Sequence, residues 1–345
     1  MIRGPVELPV RSPATLVVHG DTLDAVLNDG GKPRTSSFAA TALPSIAALP
    51  GAREAADGGT AAGYPLACAA SADLLYCPDR AGAVHRTTRE GTGDTLAASS
   101  RSGSRIAAAT LAGNHSALGY MASRQTSEGW VSEAWLTVDD QAPVRLSDDG
   151  SGATSLALVP RKASLLALMV DARTSLTTLH VRAVTFEGHA ELGDDVVVFV
   201  GGPGDRRSAA TLALPSSGPA WALLPIARDI ASFGMAVVRV EEPARVDEPV
   251  FWSMYPNGLD PAPVASVVEG AKTWVVRVRP QSPEPGATRI LELGSIGASG
   301  TFAPRDVLAA ASRLTDVALA ADRTGALWVA WVDGAGSWLE RVVCR

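Results

Sequence analysis

The chain has 345 residues, of which 46% are hydrophobic and only 19% are charged, a composition rich in core-forming residues and unlike that of disordered chains. Its formal net charge of −6 lacks the basic surplus with which nucleic-acid binders neutralise phosphates. No run approaches the ~20 apolar residues of a membrane-spanning helix, so the sequence predicts a soluble, folded chain with neither a nucleic-acid partner nor a membrane span.

The N-terminal segment leaves the compartment open. Met1–Val10 lacks the apolar core of a signal peptide. The chain is therefore expected to be cytoplasmic if Met1 is the native start, and periplasmic or extracellular if a leader has been removed.

Pairs of short apolar runs recur along the whole chain, and such a period indicates a repeat architecture. The second run of each pair is the clearer strand: Thr22–Asn28, Asp73–Cys77, Ser116–Ala122, Ala163–Val170, Pro219–Leu224, Lys272–Val278 and Ala326–Val332. The first runs are Ala14–His19, Tyr64–Ala70, Arg105–Ala112, Thr154–Val159, Ala209–Leu214, Pro263–Val268 and Asp316–Ala321. Seven pairs fit the length.

Most of these strands are apolar on both faces. A sheet with one solvent-exposed face would alternate apolar and polar residues along each strand. Each blade of a β-propeller instead packs against a blade on either side, so its strands are apolar on both faces. Small residues dominate the first runs, as in Ala107–Ala109 and Ala318–Ala321, and the crowding of inner strands around an axis accounts for them. The sequence therefore predicts one all-β domain over residues 1–345, a seven-bladed propeller of four-stranded antiparallel blades, with six or eight blades as alternatives.

Outer strands are less regular, as edge strands tend to be. Third strands are predicted at Ala83–Arg89, Trp130–Val138, Leu176–Phe186, Met235–Glu241, Thr288–Gly294 and Ser337–Val343. Fourth strands are predicted at Asp94–Ser99, Pro143–Ser147, Val196–Val200, Pro249–Met254 and Thr301–Arg305. The last unit lacks a fourth strand, and Val6–Val10 lacks an earlier partner, so we expect the N-terminal run to complete the last blade and close the ring. The sequence of Ala42–Gly63 is as compatible with a short helix or a loop as with a strand.

Cys68 and Cys77 lie on two consecutive predicted strands and could form a disulfide. Two small, buried, unbonded residues are the favoured interpretation. Cys344 is then unpaired near the C-terminus.

Two segments resemble known propeller blades. Asp322-Arg-Thr-Gly-Ala-Leu-Trp328 is similar to the turn-and-strand signature of regulator-type and NHL-type propellers. Val144–Gly150 followed by Ser155–Asp171 resembles a TolB-type blade, although Val159-Pro-Arg-Lys162 stands where Ser-Pro-Asp-Gly is expected. The resemblance covers two of the seven predicted blades, and it is to the propeller superfamily rather than to a particular family. It implies the fold and no particular activity.

Sequence motifs of catalysis are largely missing. The chain has no Gly-x-Ser-x-Gly, His-Glu-x-x-His, phosphate loop or Cys-x-x-Cys. The five histidines show no metal-ligand spacing and are interpreted as satisfied or surface residues, so no metal or cofactor is expected. An aspartate recurs where the second strand turns into the third, and it is interpreted first as a turn residue and secondly as part of a carboxylate ring. These positions are Asp29, Asp79, Asp171, Asp229 and Asp333.

In a propeller, the turns between second and third strands and the connections between blades lie on one face, here called the channel face. Arg and Trp are the residue types that anchor interfaces. The candidate binding residues on this face are Arg101, Arg124, Trp130, Asp171, Arg173, Arg207, Arg228, Asp229, Tyr255 and Trp338.

The absence of an assembled catalytic motif favours a non-catalytic binding or scaffolding module, whose channel face contacts a protein or an oligosaccharide. The alternative is a hydrolase or lyase that acts on a glycan at the mouth of the channel. That alternative needs two carboxylates, or a carboxylate and an arginine cluster, about 5–10 Å apart.

Overall fold

A computed structural model describes residues 5–39, 67–71, 73–88, 93–99, 106–111, 113–127, 129–148, 150, 152–161, 164–171, 176–203, 206–207, 211–213, 220–227, 233–240, 250–254, 263–284 and 286–343. These residues form strands joined by turns. No helix among them has the length and apolar composition that crossing a membrane requires.

The strands form seven antiparallel sheets, or blades, in chain order. Blade 1 comprises β2 (Ala14–His19), β3 (Thr22–Asp29) and β4 (Lys32–Ala39), and blade 2 comprises β5 (Ala69–Ser71), β6 (Leu74–Pro78), β7 (Ala83–Thr88) and β8 (Gly93–Ser99). Blade 3 contains β9 (Ala107–Thr110), β10 (Ser116–Thr126), β11 (Gly129–Val138) and β12 (Val144–Arg145), and blade 4 contains β13 (Ser155–Pro160), β14 (Ser164–Asp171), β15 (Leu176–Phe186) and β16 (Ala190–Pro203).

Blade 5 contains β17 (Arg206–Arg207), β18 (Thr211–Ala213), β19 (Ala220–Ala227), β20 (Phe233–Val240) and β21 (Val250–Met254). Blade 6 contains β22 (Val264–Glu269), β23 (Lys272–Pro280), β24 (Arg289–Ile296) and β25 (Phe302–Ala311). Blade 7 contains β26 (Leu314–Ala321), β27 (Leu327–Asp333), β28 (Ser337–Val342) and the N-terminal strand β1 (Val6–Glu7). The innermost strands contact one another in order around a ring, and β26 of blade 7 contacts β2 of blade 1. The predicted seven-bladed β-propeller is confirmed.

The predicted closure is also found. In β1, Val6 pairs with Leu339 and Glu7 with Trp338. The chain then runs to blade 1 and is held by a reciprocal pair of bonds, in which the Ser12 amide donates to Ser337 Oγ (2.9 Å) and the Ser337 hydroxyl donates to the Ser12 carbonyl (2.9 Å). The last blade is thus built from both ends of the described chain.

Burial on both faces of the blades follows from the sequence pattern. In β14, Leu165, Ala167 and Met169 pack towards blade 3. The residues between them, Leu166 and Leu168, pack towards blade 5. Because successive strand residues point to opposite faces, a strand between two blades must be apolar throughout.

Hydroxyl groups join neighbouring inner strands. Thr15 of blade 1 donates to the Cys68 carbonyl next to blade 2, and Ser71 of blade 2 donates to the Ala109 carbonyl of blade 3 at 2.6 Å. Between blades 5 and 6, the Thr211 and Ser266 hydroxyls are hydrogen-bonded to each other at 3.0 Å. These bonds place small hydroxyl and alanine residues next to the axis, where larger side chains lack room.

The structure corrects two expectations. Cys68 and Cys77 form a disulfide, because the pairing of Ala69 with Tyr76 puts them directly opposite each other with Cα atoms 4.3 Å apart. Lys32–Ala39 is a third strand of blade 1 that the sequence did not predict. The segment 42–63, left open above, lies outside the described residues.

Candidate functional site

The predicted binding residues fall into three groups. Arg101, Arg173, Arg228, Asp229 and Tyr255 lie outside the described residues. Arg207 is in β17, opposite Ile226, and Trp338 is partly buried against the apolar cluster of blades 6 and 7. The remaining three, Arg124, Trp130 and Asp171, belong to neighbouring blades 3 and 4.

In blade 3, a hairpin carries an exposed indole. Strands β10 and β11 pair continuously up to a turn that ends at Gly129, whose φ of +124° favours glycine. The next residue, Trp130, is 72% exposed, the largest exposure among the large hydrophobic residues described. A paired hairpin therefore holds an aromatic surface towards solvent.

Below this turn, a buried carboxylate holds two arginines. Glu133 Oε1 lies 3.1 Å from Arg124 Nη2 and 3.4 Å from Arg145 Nη1, and the Gly150 amide donates to it at 3.3 Å. The Glu133 side chain is only 1% exposed, whereas Arg124 is 47% exposed. Burial of the acid fixes the positions of guanidinium groups that remain partly in solvent.

In blade 4, an imidazole lies between two carboxylates. His180 Nε2 is 3.0 Å from Asp171, and His180 Nδ1 is 3.1 Å from Asp195. Burial disfavours the imidazolium, but the interactions with Asp171 and Asp195 outweigh this effect and raise the pKa of His180 to about 9. His180 is therefore a cation at neutral pH.

Arg182 connects the two blades. Its Nη2 lies 3.6 Å from Asp195 in its own blade and 3.8 Å from Asp148 in the connection that leaves blade 3. We define the blade 3/4 patch as Arg124, Trp130, Glu133, Arg145, Asp148, Asp171, His180, Arg182 and Asp195. It contains four cations and four anions, each ionic group contacting one of opposite sign. The patch therefore has little net charge, and its exposed ionic groups are Arg124, Arg145 and Asp148.

The aspartates predicted at second-to-third-strand turns have different roles. Asp79 and Asp333 accept hydrogen bonds from amides of their own turns, whereas Asp29 pairs with Arg34 and Asp171 with His180. Among the described residues, no group of three or more His, Cys, Asp or Glu side chains could hold a metal ion.

The His180 interactions predict a pH-dependent stability. The pKa of His180 rises from about 6.5 in the unfolded chain to about 9 in the folded protein. Its stabilising contribution is therefore complete below pH 6.5 and lost as the pH rises to 9, a change of about 3 kcal/mol. Between pH 6.5 and pH 9, we expect the unfolding free energy of the wild type, measured by urea denaturation, to fall by this amount more than that of His180→Gln. Parallel pH profiles of the two proteins would contradict the assignment.

Comparisons with known proteins agree with the fold. No protein-family model matches the chain, and no curated protein matches it. A streptogramin B lyase structure is 10% identical over 98% of this chain and 97% of its own, with a TM-score of 0.50. A catalytically inactive virginiamycin B lyase from Staphylococcus aureus, in complex with quinupristin, is 10% identical over 99% of this chain and 98% of its own, with a TM-score of 0.52.

Raptor from Chaetomium thermophilum is 8% identical over 99% of this chain, which spans only 29% of Raptor, with a TM-score of 0.54. At these identities the likeness shows the fold alone. The class of protein is thus a seven-bladed β-propeller.

Proposed function

We propose that this propeller is a non-catalytic binding or scaffolding module, and that the blade 3/4 patch on its channel face contacts a protein or an oligosaccharide. The observation that carries the proposal is Trp130, which is 72% exposed on a fully paired hairpin. An exposed tryptophan is costly to hydrate and offers a rigid, flat surface to a partner.

The neighbouring charges support the same role. Glu133 holds Arg124 and Arg145 in place before a partner arrives, so little side-chain entropy is lost on binding. Tryptophan and arginine are the residues most often found at the centre of interfaces. Because the patch is nearly neutral, it suits a partner recognised by shape, stacking and hydrogen bonds rather than by bulk charge.

Replacement of Trp130 by alanine is expected to remove the anchor without affecting the fold. A central tryptophan contributes about 2 kcal/mol or more to binding, so we expect the Kd for the partner to rise roughly 30-fold. The full-length protein is used to capture partners from cells of its source and to probe a glycan array. Val307→Ala is the matched control, because Val307 is 57% exposed on blade 6 and far from the patch in the ring. A partner lost equally in both variants, or in neither, would contradict the proposal.

The catalytic alternative is favoured by one observation, the two carboxylates Asp171 and Asp195 on either side of His180. With a pKa of about 9, His180 could supply a proton to a leaving group but could not accept one at neutral pH. Two of the similar structures belong to lyases, at an identity that carries no substrate over. Analysis of the same glycans for products after incubation distinguishes this alternative from binding alone.

A further inference from the structure

A second possible site lies between blades 1 and 2, away from the blade 3/4 patch. A cleft of about 450 Å³ opens there, a size within the range of small-molecule sites. It is lined by Gly31, Lys32, Pro33, Thr35, Leu75, His85, Arg86, Thr87, Thr88, Gly93 and Asp94. One wall is β4 and the other is formed by β6, β7 and β8, so both walls are strands.

The turn at the mouth of the cleft is packed tightly. Gly31 has a φ of +93°, and a Cβ atom at this position would lie 2.7 Å from His85 Cδ2 and 3.0 Å from the Cβ of Asp79. Only glycine allows this turn of blade 1 to approach blade 2 so closely. The walls are therefore held at a fixed separation.

Most charges around the cleft are neutralised by the protein itself. Arg86 donates to both oxygens of Asp94 at 3.0 and 2.7 Å and to Asp140 of blade 3 at 2.6 Å. His85 lies 3.1 Å from Asp79. Lys32, exposed at the start of β4, has no acidic partner among the described residues. Within the lining itself, an anion would meet the Asp94 carboxylate, and a cation would meet Arg86 and Lys32.

The groups that remain available are suited to hydroxyl groups. Asp94 is 56% exposed and can accept further hydrogen bonds, while Lys32 can donate them. Thr35 and Thr87 carry hydroxyls, and Pro33 and Leu75 supply apolar surface for C–H groups. We propose that this cleft binds an uncharged polyhydroxylated ligand, such as a single sugar unit. This inference is independent of the partner proposed for the blade 3/4 patch.

The test is ligand-observed saturation-transfer NMR on the full chain with glucose, galactose, mannose and N-acetylglucosamine as neutral probes. Glucuronate and inorganic phosphate serve as anionic probes. We expect at least one neutral sugar to bind the wild type. Lys32→Ala should weaken this binding about fivefold, the effect of one hydrogen bond. Thr35→Trp, at an exposed strand position, should fill the cleft and abolish binding.

The matched control is Arg34→Ala, which removes a cation from the same strand outside the cleft lining. We expect it to leave sugar binding unchanged. Thr35→Trp in turn should leave partner binding at the blade 3/4 patch unchanged, so the two proposed sites fail or succeed separately. Absence of binding by any neutral sugar, binding of the anionic probes alone, or binding that survives Thr35→Trp in a protein with unaltered circular dichroism would overturn the proposal.

Discussion

Replacement of Asp322 by alanine is expected to lower the unfolding free energy by about 3–5 kcal/mol, the cost of breaking a buried ion pair. The Asp322 side chain is fully buried, and its Oδ1 accepts hydrogen bonds from the amides of Thr324 (2.8 Å) and Ala326 (3.1 Å). Its Oδ2 accepts from Trp328 Nε1 (2.9 Å) and Arg341 Nη2 (3.0 Å). One carboxylate thus joins the turn to the next two strands of blade 7.

The loss is large because two buried donors lose their acceptor. Arg341 is only 9% exposed, and its guanidinium lies 5.6 Å from the centre of the Trp328 ring. Burial opposes ionisation of Asp322, but these hydrogen bonds keep its pKa below the ordinary value. Its contribution to stability is therefore present at neutral pH and lost as the pH falls below about 4.

Urea denaturation followed by circular dichroism measures the change, and Asp333→Ala is the matched control. Asp333 accepts hydrogen bonds from the amides of Ala335 and Gly336 in a turn of the same blade, so its replacement should cost about 1 kcal/mol. Adding Arg341→Met to Asp322→Ala should recover part of the loss, because the unpaired buried cation is then removed. Equal losses for the two aspartates would refute this account.

The sequence contains enough information to predict the blades, because most strands are apolar at successive residues and are therefore expected to be buried on both faces. Thr22–Asn28 and Lys272–Val278 were predicted within two residues of β3 and β23. Strand β4 was missed because Lys32–Ala39 is mostly polar, contains Pro33 and alternates between exposed and half-buried residues. The resemblance at Asp322–Trp328 has a physical cause, since the signature aspartate binds the indole of the signature tryptophan.

The register in which residues pair across strands is harder to predict from the sequence. The disulfide depends on the register that opposes Ala69 and Tyr76, and two cysteines nine residues apart do not reveal that register. The same limit applies to the candidate site. Trp130 and Arg124 were predicted from residue type and position near a turn, but Asp195 was not. Strands β15 and β16 pair with three register shifts, so spacing in the sequence does not show that Asp195 lies opposite Arg182.

Glu292→Ala is expected to have a similarly large effect, again about 3–5 kcal/mol. Glu292 Oε2 accepts from Arg277 Nη2 at 2.8 Å and from Arg279 Nε at 3.2 Å, and the Glu292 side chain is only 7% exposed. The Arg277 guanidinium packs against blade 5, 5.4 Å from the ring centre of Trp252, and lies 4.0 Å from that of Phe302. Without Glu292, two arginines repel each other at the interface of blades 5 and 6.

Glu340 provides a matched control, because it is also a largely buried strand glutamate but lacks a cationic partner among the described ion pairs. Burial and the charge of Asp306 raise the pKa of Glu340, whereas the two arginines overcome burial and lower that of Glu292. At pH 7, Glu292→Gln should therefore destabilise the protein, and Glu340→Gln should be neutral or stabilising. A carboxyl group whose pKa is raised by folding destabilises the folded protein at any pH above its unfolded pKa. A carboxyl group whose pKa is lowered by folding stabilises the folded protein at the same pH. Urea denaturation at pH 7 and pH 4 tests both variants. If Glu292→Gln and Glu340→Gln lost the same stability at pH 7, burial rather than ion pairing would determine the contribution of these glutamates.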